Sequence, residues 1–214
     1  AGDGGAVYAS GAGQPPIEVY DSALEGNTAN RNGGAVCAER YLEIVSSTLR
    51  GNVAHENGGA IALVSKDVDF EASLTLAHAN VFGNEASGLS GQGNGGAIYL
   101  YGDNADMLID DSDTNSRATD IYNNTAKGSG GGVYVEGAGE SGTASTTMAT
   151  GSVRDNVAAG GQGGGLAFAG QYVSIALGPT HSFEPPVLEP RIYANHAQGS
   201  GGGIHVSSAE DVSF

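Results

Sequence analysis

The sequence is poor in positive charge and in cysteine, and no apolar run in it is long enough to cross a bilayer. Of its 214 residues only 8 are Lys or Arg, against 24 Asp or Glu, and Lys66 and Lys127 are the only lysines. A formal charge of -16 repels phosphate backbones and anionic headgroups. Nucleic-acid binding and direct membrane insertion by this segment are therefore not expected, whereas cation binding is compatible with the charge. The single cysteine, Cys37, rules out an internal disulfide. It directly follows the aliphatic Val36 and is expected on the outward side of a strand, as an ordinary surface residue. Histidines at 55, 78, 181, 196 and 205 show neither metal-ligand nor triad spacing and read as surface or turn positions. Helical periodicity is missing as well.

What the sequence does have is a repeat. An aliphatic residue, two spacers, Asn, any residue, Ala, a short loop and then Gly-Gly-(Ala or Gly)-aliphatic recurs six times. The repeat asparagines are Asn27, Asn52, Asn84, Asn124, Asn156 and Asn195, and the closing aliphatic residues are Val36, Ile61, Ile98, Val133, Leu166 and Ile204. A half-copy, Gly4-Gly-Ala-Val7, opens the chain. Units of 25 to 38 residues with this self-similarity mark a stack of equivalent supersecondary units.

Within a unit the period is two. Ile61-Ala-Leu63, Ile98-Tyr-Leu100 and Val133-Tyr-Val135 alternate as strands with one buried face require. A second alternation, such as Tyr41-Leu-Glu-Ile44 or Ser73-Leu-Thr-Leu76, and a third strand through Leu24, Leu49, Val81, Ile121, Val153 or Ile192 complete three strands per unit. The fold class is therefore all-β, a parallel β-helix of about six to seven coils and roughly 30 Å in axial length. Stacked asparagines form a structural ladder with the backbone in a turn that Asn tolerates, and the Gly-Gly pair supplies a positive φ or a close approach between coils.

The paired phrases Gly-Gly-Ala-Ile and aliphatic-x-x-Asn resemble the repeats of the polymorphic outer membrane proteins. The secreted passengers of that family are right-handed parallel β-helices that act as surface adhesins. The likeness runs along nearly the whole chain and departs at one position, three before each Asn, where Leu, Val or Ile replaces Phe. It implies right-handedness, an extracellular or outer-membrane-associated setting, and a non-enzymatic adhesin or fibre segment whose partner is a cell-surface glycan or protein. Residues 1–214 read as one β-helix segment. Since neither end carries the polar cap a solenoid needs, an internal fragment of a longer surface protein is expected.

Recognition is expected on outward residues and loops. Strand alternation turns Phe82, Tyr99, Tyr101, Tyr122 and Tyr134 outward on neighbouring faces, where rings can stack on sugars or anchor a protein. Gap-filling beneath loops is the competing role for the same rings. The runs 10–16, 102–120, 137–147 and 178–190 carry all six prolines and are expected to project from one side of the rod. One of them gathers Asp103, Asp106, Asp110, Asp111, Asp113 and Asp120 in a single acidic loop. Asp111-Ser-Asp113-Thr-Asn115 matches the first half of a calcium loop, after which Ser116 and Tyr122 stand where Gly and Glu belong. Calcium held by Asp110, Asp111, Asp113 and Asn115 is thus the one cofactor candidate, with a solvated acidic loop as its rival.

Two other functional classes remain open. A β-helix polysaccharide lyase or hydrolase needs two carboxylates about 5 to 10 Å apart, or a base beside an acidic cation site, and no recurring outward column supplies either. A structural spacer needs no recognition face. The glycine-rich turns lack the Lys-Ser/Thr ending of a phosphate loop, so nucleotide binding is rejected. No catalytic residue is assigned.

Overall fold

The computed structural model describes residues 2–11, 16–65, 72–111, 118–138, 143–170, 173–178 and 189–207. Every strand pairs in parallel with its equivalent one coil away. The strands form one sheet of seven (sheet A) and three of six (sheets B, C and D), threaded in the order A, B, C, D in each coil. The chain winds as a right-handed parallel β-helix, the hand that parallel crossovers adopt almost without exception. Sheet A holds the closing aliphatic residues, sheet B the variable alternation and sheet C the strand before the repeat Asn. Sheet D is an addition to the expected three: two-residue strands such as Thr28–Ala29 and Val53–Ala54, just after the Asn.

Register is kept throughout. Val36 pairs with Ile61, Ile61 with Ile98, Ile98 with Val133, and Val133 with Leu166. Each inward column becomes a continuous apolar stack, and the core runs the length of the rod with Leu42, Leu49, Leu74, Val81, Leu100, Ile121 and Phe168 sealed from solvent. Thr146 interrupts it. Its position on sheet B points inward, and its hydroxyl is buried with no hydrogen-bond partner.

The Asn ladder is the strongest polar element. Asn84 donates from Nδ2 to Asn124 Oδ1 (2.9 Å) and to Leu49 O (3.0 Å), while its own Oδ1 accepts from the backbone N and Nδ2 of Asn52, each at 2.9 Å. The pattern continues through Asn124 and Asn156 to Asn195. Asn52, Asn84, Asn124 and Asn156 are fully enclosed, so their amides bond only one another and the backbone. One expectation is corrected: the left-handed turn belongs to the residue before the Asn, namely Gly26, Gly51, Gly83, Asn123, Asp155 and Ala194, with φ from 53 to 64°.

A second ladder was not read from the sequence. The residue before each Gly-Gly pair links to its equivalent one coil back: Asn32 to Asp3, Asn57 to Asn32, Asn94 to Asn57, Ser129 to Asn94 and Gln162 to Ser129. Its amide-to-amide bonds run toward the preceding coil, whereas those of the first ladder run toward the following one. The Gly-Gly pair directly follows the second ladder. Its first glycine takes the positive φ (Gly33, 66°), and a Cβ on its second would meet backbone of the next coil, Gly59 O at 2.0 Å from Gly34.

The runs expected to project as loops are in part strand, and 12–15, 112–117, 139–142 and 179–188 lie outside the described residues. The stretch 102–120 contains the strand Ala105–Ile109, alternately buried, and 137–147 runs into the strand Ala144–Met148. Leu108, apolar on the outward face, and Thr146, polar on the inward face, blur the alternation there and hid both strands. Most length variation therefore divides between the A-to-B and B-to-C corners, with one further insertion at the D-to-A corner of the third coil, between Ala86 and Gly95.

Candidate functional site: two outward ladders

The five expected ring residues separate into two stacks on different sheets. On sheet A, Tyr99 lies parallel to Tyr134 (centroids 5.8 Å apart) and to Tyr101 (6.3 Å), and its hydroxyl donates to Glu136 at 3.1 Å. These rings pack over Cys37 and Ala62 as a small satellite core. Tyr99 is only 9% exposed, so its ring fills a gap instead of offering a face. Cys37, expected at the surface, is 4% exposed because this stack covers the column it stands in. Burial, reinforced by Glu136, pushes the Tyr134 hydroxyl up to about 12 and Tyr99 further in the same direction.

On sheet C the outward column reads Glu25, Arg50, Phe82, Tyr122, Arg154 and Tyr193. Glu25 and Arg50 pair at 3.0 Å, and Phe82 stacks on Tyr122 with centroids 4.8 Å apart and planes 11° from parallel. The Arg154 guanidinium lies 4.2 Å from the Tyr122 ring centre and binds Asp120 and Asp155, so it is held more firmly protonated, chiefly by Asp120. Arg191 covers Tyr193 in the same manner at 5.1 Å. The left-handed turn residues run alongside this column. In the first three coils they are glycines with nothing within 4 Å of a would-be Cβ. A shallow cavity of about 470 Å³ opens there, bordered by Glu25, Gly26, Arg50, Gly51, Phe82 and Gly83.

The acidic stretch is not one loop. Asp103 is buried at the A-to-B corner, Asp106 faces outward on sheet B with Ser145, and Asp120 begins a sheet C strand. Asp111 is a structural residue. Its Oδ1 accepts from His78 N (2.5 Å) and Thr119 Oγ1 (2.7 Å), and its Oδ2 from Thr119 N and Thr150 Oγ1, both at 2.8 Å. Four donors from three coils saturate this carboxylate and leave it turned away from solvent. His78, expected as a surface or turn residue, is in a turn but 3% exposed, with Nδ1 3.7 Å from Asp111. Asp113 and Asn115 lie outside the described residues. Among the described residues no three His, Cys, Asp or Glu side chains come together to hold a metal ion.

Three further tyrosines are exposed in the first coils. Tyr8, Tyr20 and Tyr41 are 51, 47 and 36% exposed, and Tyr20 donates to Glu43 at 2.5 Å. Tyr20 ends the outward set of its strand, so alternation would have found it.

A rod of parallel coils with a sealed core and a decorated exterior is a β-solenoid whose recognition surfaces can only be its outer columns and corners. The Chlamydia polymorphic membrane protein repeat matches residues 21–39 and 118–136. Both stretches span the same piece of the coil, from the sheet C strand through the Asn and the Gly-Gly corner to the sheet A strand. The chain thus carries polymorphic membrane protein repeats. No curated protein and no solved structure matched it.

Proposed function

We propose that this chain is a non-enzymatic segment of a bacterial surface adhesin, displayed at the outer membrane and binding a cell-surface glycan or protein. The repeats support the setting, and the sheet C column supports the activity. That column is the observation carrying the proposal: Phe82, Tyr122 and their flanking arginines form a half-exposed aromatic and charged strip, and the turns beside Arg50 and Phe82 are bare glycine. Rings and arginines are the residues that dominate recognition energetics. Tyr99, Tyr101 and Tyr134 serve as support for sheet A in this reading.

The test is saturable binding of the labelled protein to cultured epithelial cells. Wild type should bind, and Phe82→Ala/Tyr122→Ala should bind at least about tenfold more weakly, the loss of two contacts of roughly 1 kcal/mol each. Equal binding by both proteins would remove sheet C as the recognition face, and no saturable binding by either would leave a spacer. Release of unsaturated uronates from acidic polysaccharides would replace the adhesin with a lyase.

A further inference from the structure

Resting on the adhesin reading, we infer that the cavity bordered by Glu25, Gly26, Arg50, Gly51, Phe82 and Gly83 seats an uncharged pyranose unit of a glycan. The hollow, about 470 Å³ and open to solvent, has room for a single sugar ring lying against the surface. Its six lining residues are far fewer than the roughly 20 to 30 a side that a stable protein interface takes.

Its composition fits a sugar. A pyranose presents a patch of C–H bonds on one face and hydroxyls around its edge. Phe82, with its other side braced against Tyr122, supplies a ring that cannot tilt away. Glu25 and Arg50 stand on the two preceding coils with side chains 40 and 56% exposed, and offer an acceptor and a donor fork to ring hydroxyls. Their charges cancel, so the site carries no net attraction for a carboxylated or phosphorylated sugar, and the chain's charge of -16 opposes one. Gly26, Gly51 and Gly83 have φ of 64, 61 and 63° and open space where a Cβ would stand, which lets a flat ring approach the backbone. The next coil closes the site, since Asn123 takes the glycine position there and keeps the same left-handed conformation at 53°.

That native asparagine supplies a clean variant. Gly51→Asn/Gly83→Asn keeps the backbone conformation and fills the cavity floor. Saturation-transfer NMR with methyl β-galactoside, methyl β-glucoside and chitotriose, and with sialyllactose as the acidic comparison, reads the result. Wild type should show transfer concentrated on the ring C–H protons of at least one neutral probe, with weaker transfer to sialyllactose. The double-Asn variant should lose the signal about tenfold at an unchanged melting temperature. Phe82→Ala should lose it too. Undiminished transfer in the double-Asn variant, or no transfer from any neutral probe to wild type, overturns the sugar seat. Cell binding by the same proteins separates the two readings. Saturable cell binding without sugar transfer leaves the adhesin standing with a protein ligand, and absent cell binding with clear transfer leaves a sugar site on a segment that is no adhesin.

Discussion

The first three coils each turn twice on glycine, for opposite reasons, and the difference separates scaffold from surface. At the Gly-Gly corner the second glycine is needed because the next coil's backbone occupies the space: a Cβ on Gly59 would lie 2.0 Å from Gly96 O and 2.6 Å from Glu85 N. At the turn before the repeat Asn, Gly51 has nothing within 4 Å, and only its φ of 61° favours glycine. The first corner is Gly-Gly in every coil. The second drifts from Gly to Asn, Asp and Ala along the rod. Contact between backbones fixes sequence, whereas open space releases it, and the released positions border the sheet C column.

The sharpest way to break this contrast is to place alanine at each glycine. Gly59→Ala should cost more than about 4 kcal/mol or abolish folding, since neither coil can retreat without parting both ladders. Gly51→Ala should cost about 1 kcal/mol, the strain of a left-handed alanine that Ala194 already bears. Urea unfolding checks both, and similar losses would erase the distinction.

The Asn ladder sharpens the comparison along the rod. Asn124→Ala would orphan the buried backbone N and Nδ2 of Asn84 and the carbonyl of Val81, and should cost about 3 to 5 kcal/mol. Asn27, half exposed in the first full repeat, should cost about 1 kcal/mol. Chemical denaturation of the two variants tests the gradient.

Between the two aromatic stacks the expected difference is one of pH. Burial and Glu136 raise the Tyr134 hydroxyl to about 12 and Tyr99 higher, whereas a tyrosine in the unfolded chain ionises near 10. The unfolded chain therefore loses protons across this interval while the folded one keeps them. Stability contributed by the sheet A stack should be complete below about pH 10 and decline as pH climbs through the folded values. Tyr134→Phe should flatten part of that decline in melting temperature, and an unchanged decline would remove the buried tyrosine as its cause. The smallest effect is expected at Thr146, whose partnerless buried hydroxyl disfavours the fold: Thr146→Val should raise stability by about 1 kcal/mol in a thermal scan.

Sheets A and C were legible in the sequence because their apolar residues recur at fixed distances from an Asn or a Gly-Gly. Sheet B was half hidden: Ala105–Ile109 turns a Leu outward, and Ala144–Met148 turns a Thr inward, so alternation alone does not announce them. The second ladder escaped because Asn, Ser, Gln and Asp share its task by turns, and a search for one residue type misses a column defined by hydrogen bonding. Alternation showed which rings turn outward but not which would cover one another. Tyr99 is buried by its neighbours and Phe82 is not, a difference set by whether the adjacent coil contributes Ala62 or Arg50. Asp111 looked like a calcium ligand because local spacing carries no information about the three coils that surround it.

Hydrogen exchange of the asparagine side-chain amides, followed by NMR, tests the stacking most directly. The Nδ2 protons of Asn52, Asn84, Asn124 and Asn156 are enclosed and bonded to both a carbonyl and the next amide. They should exchange only through global unfolding, at one common rate. Exchange of those four amides as fast as in a free peptide would contradict the ladder, and with it the division of this rod into a fixed scaffold and a recognising exterior.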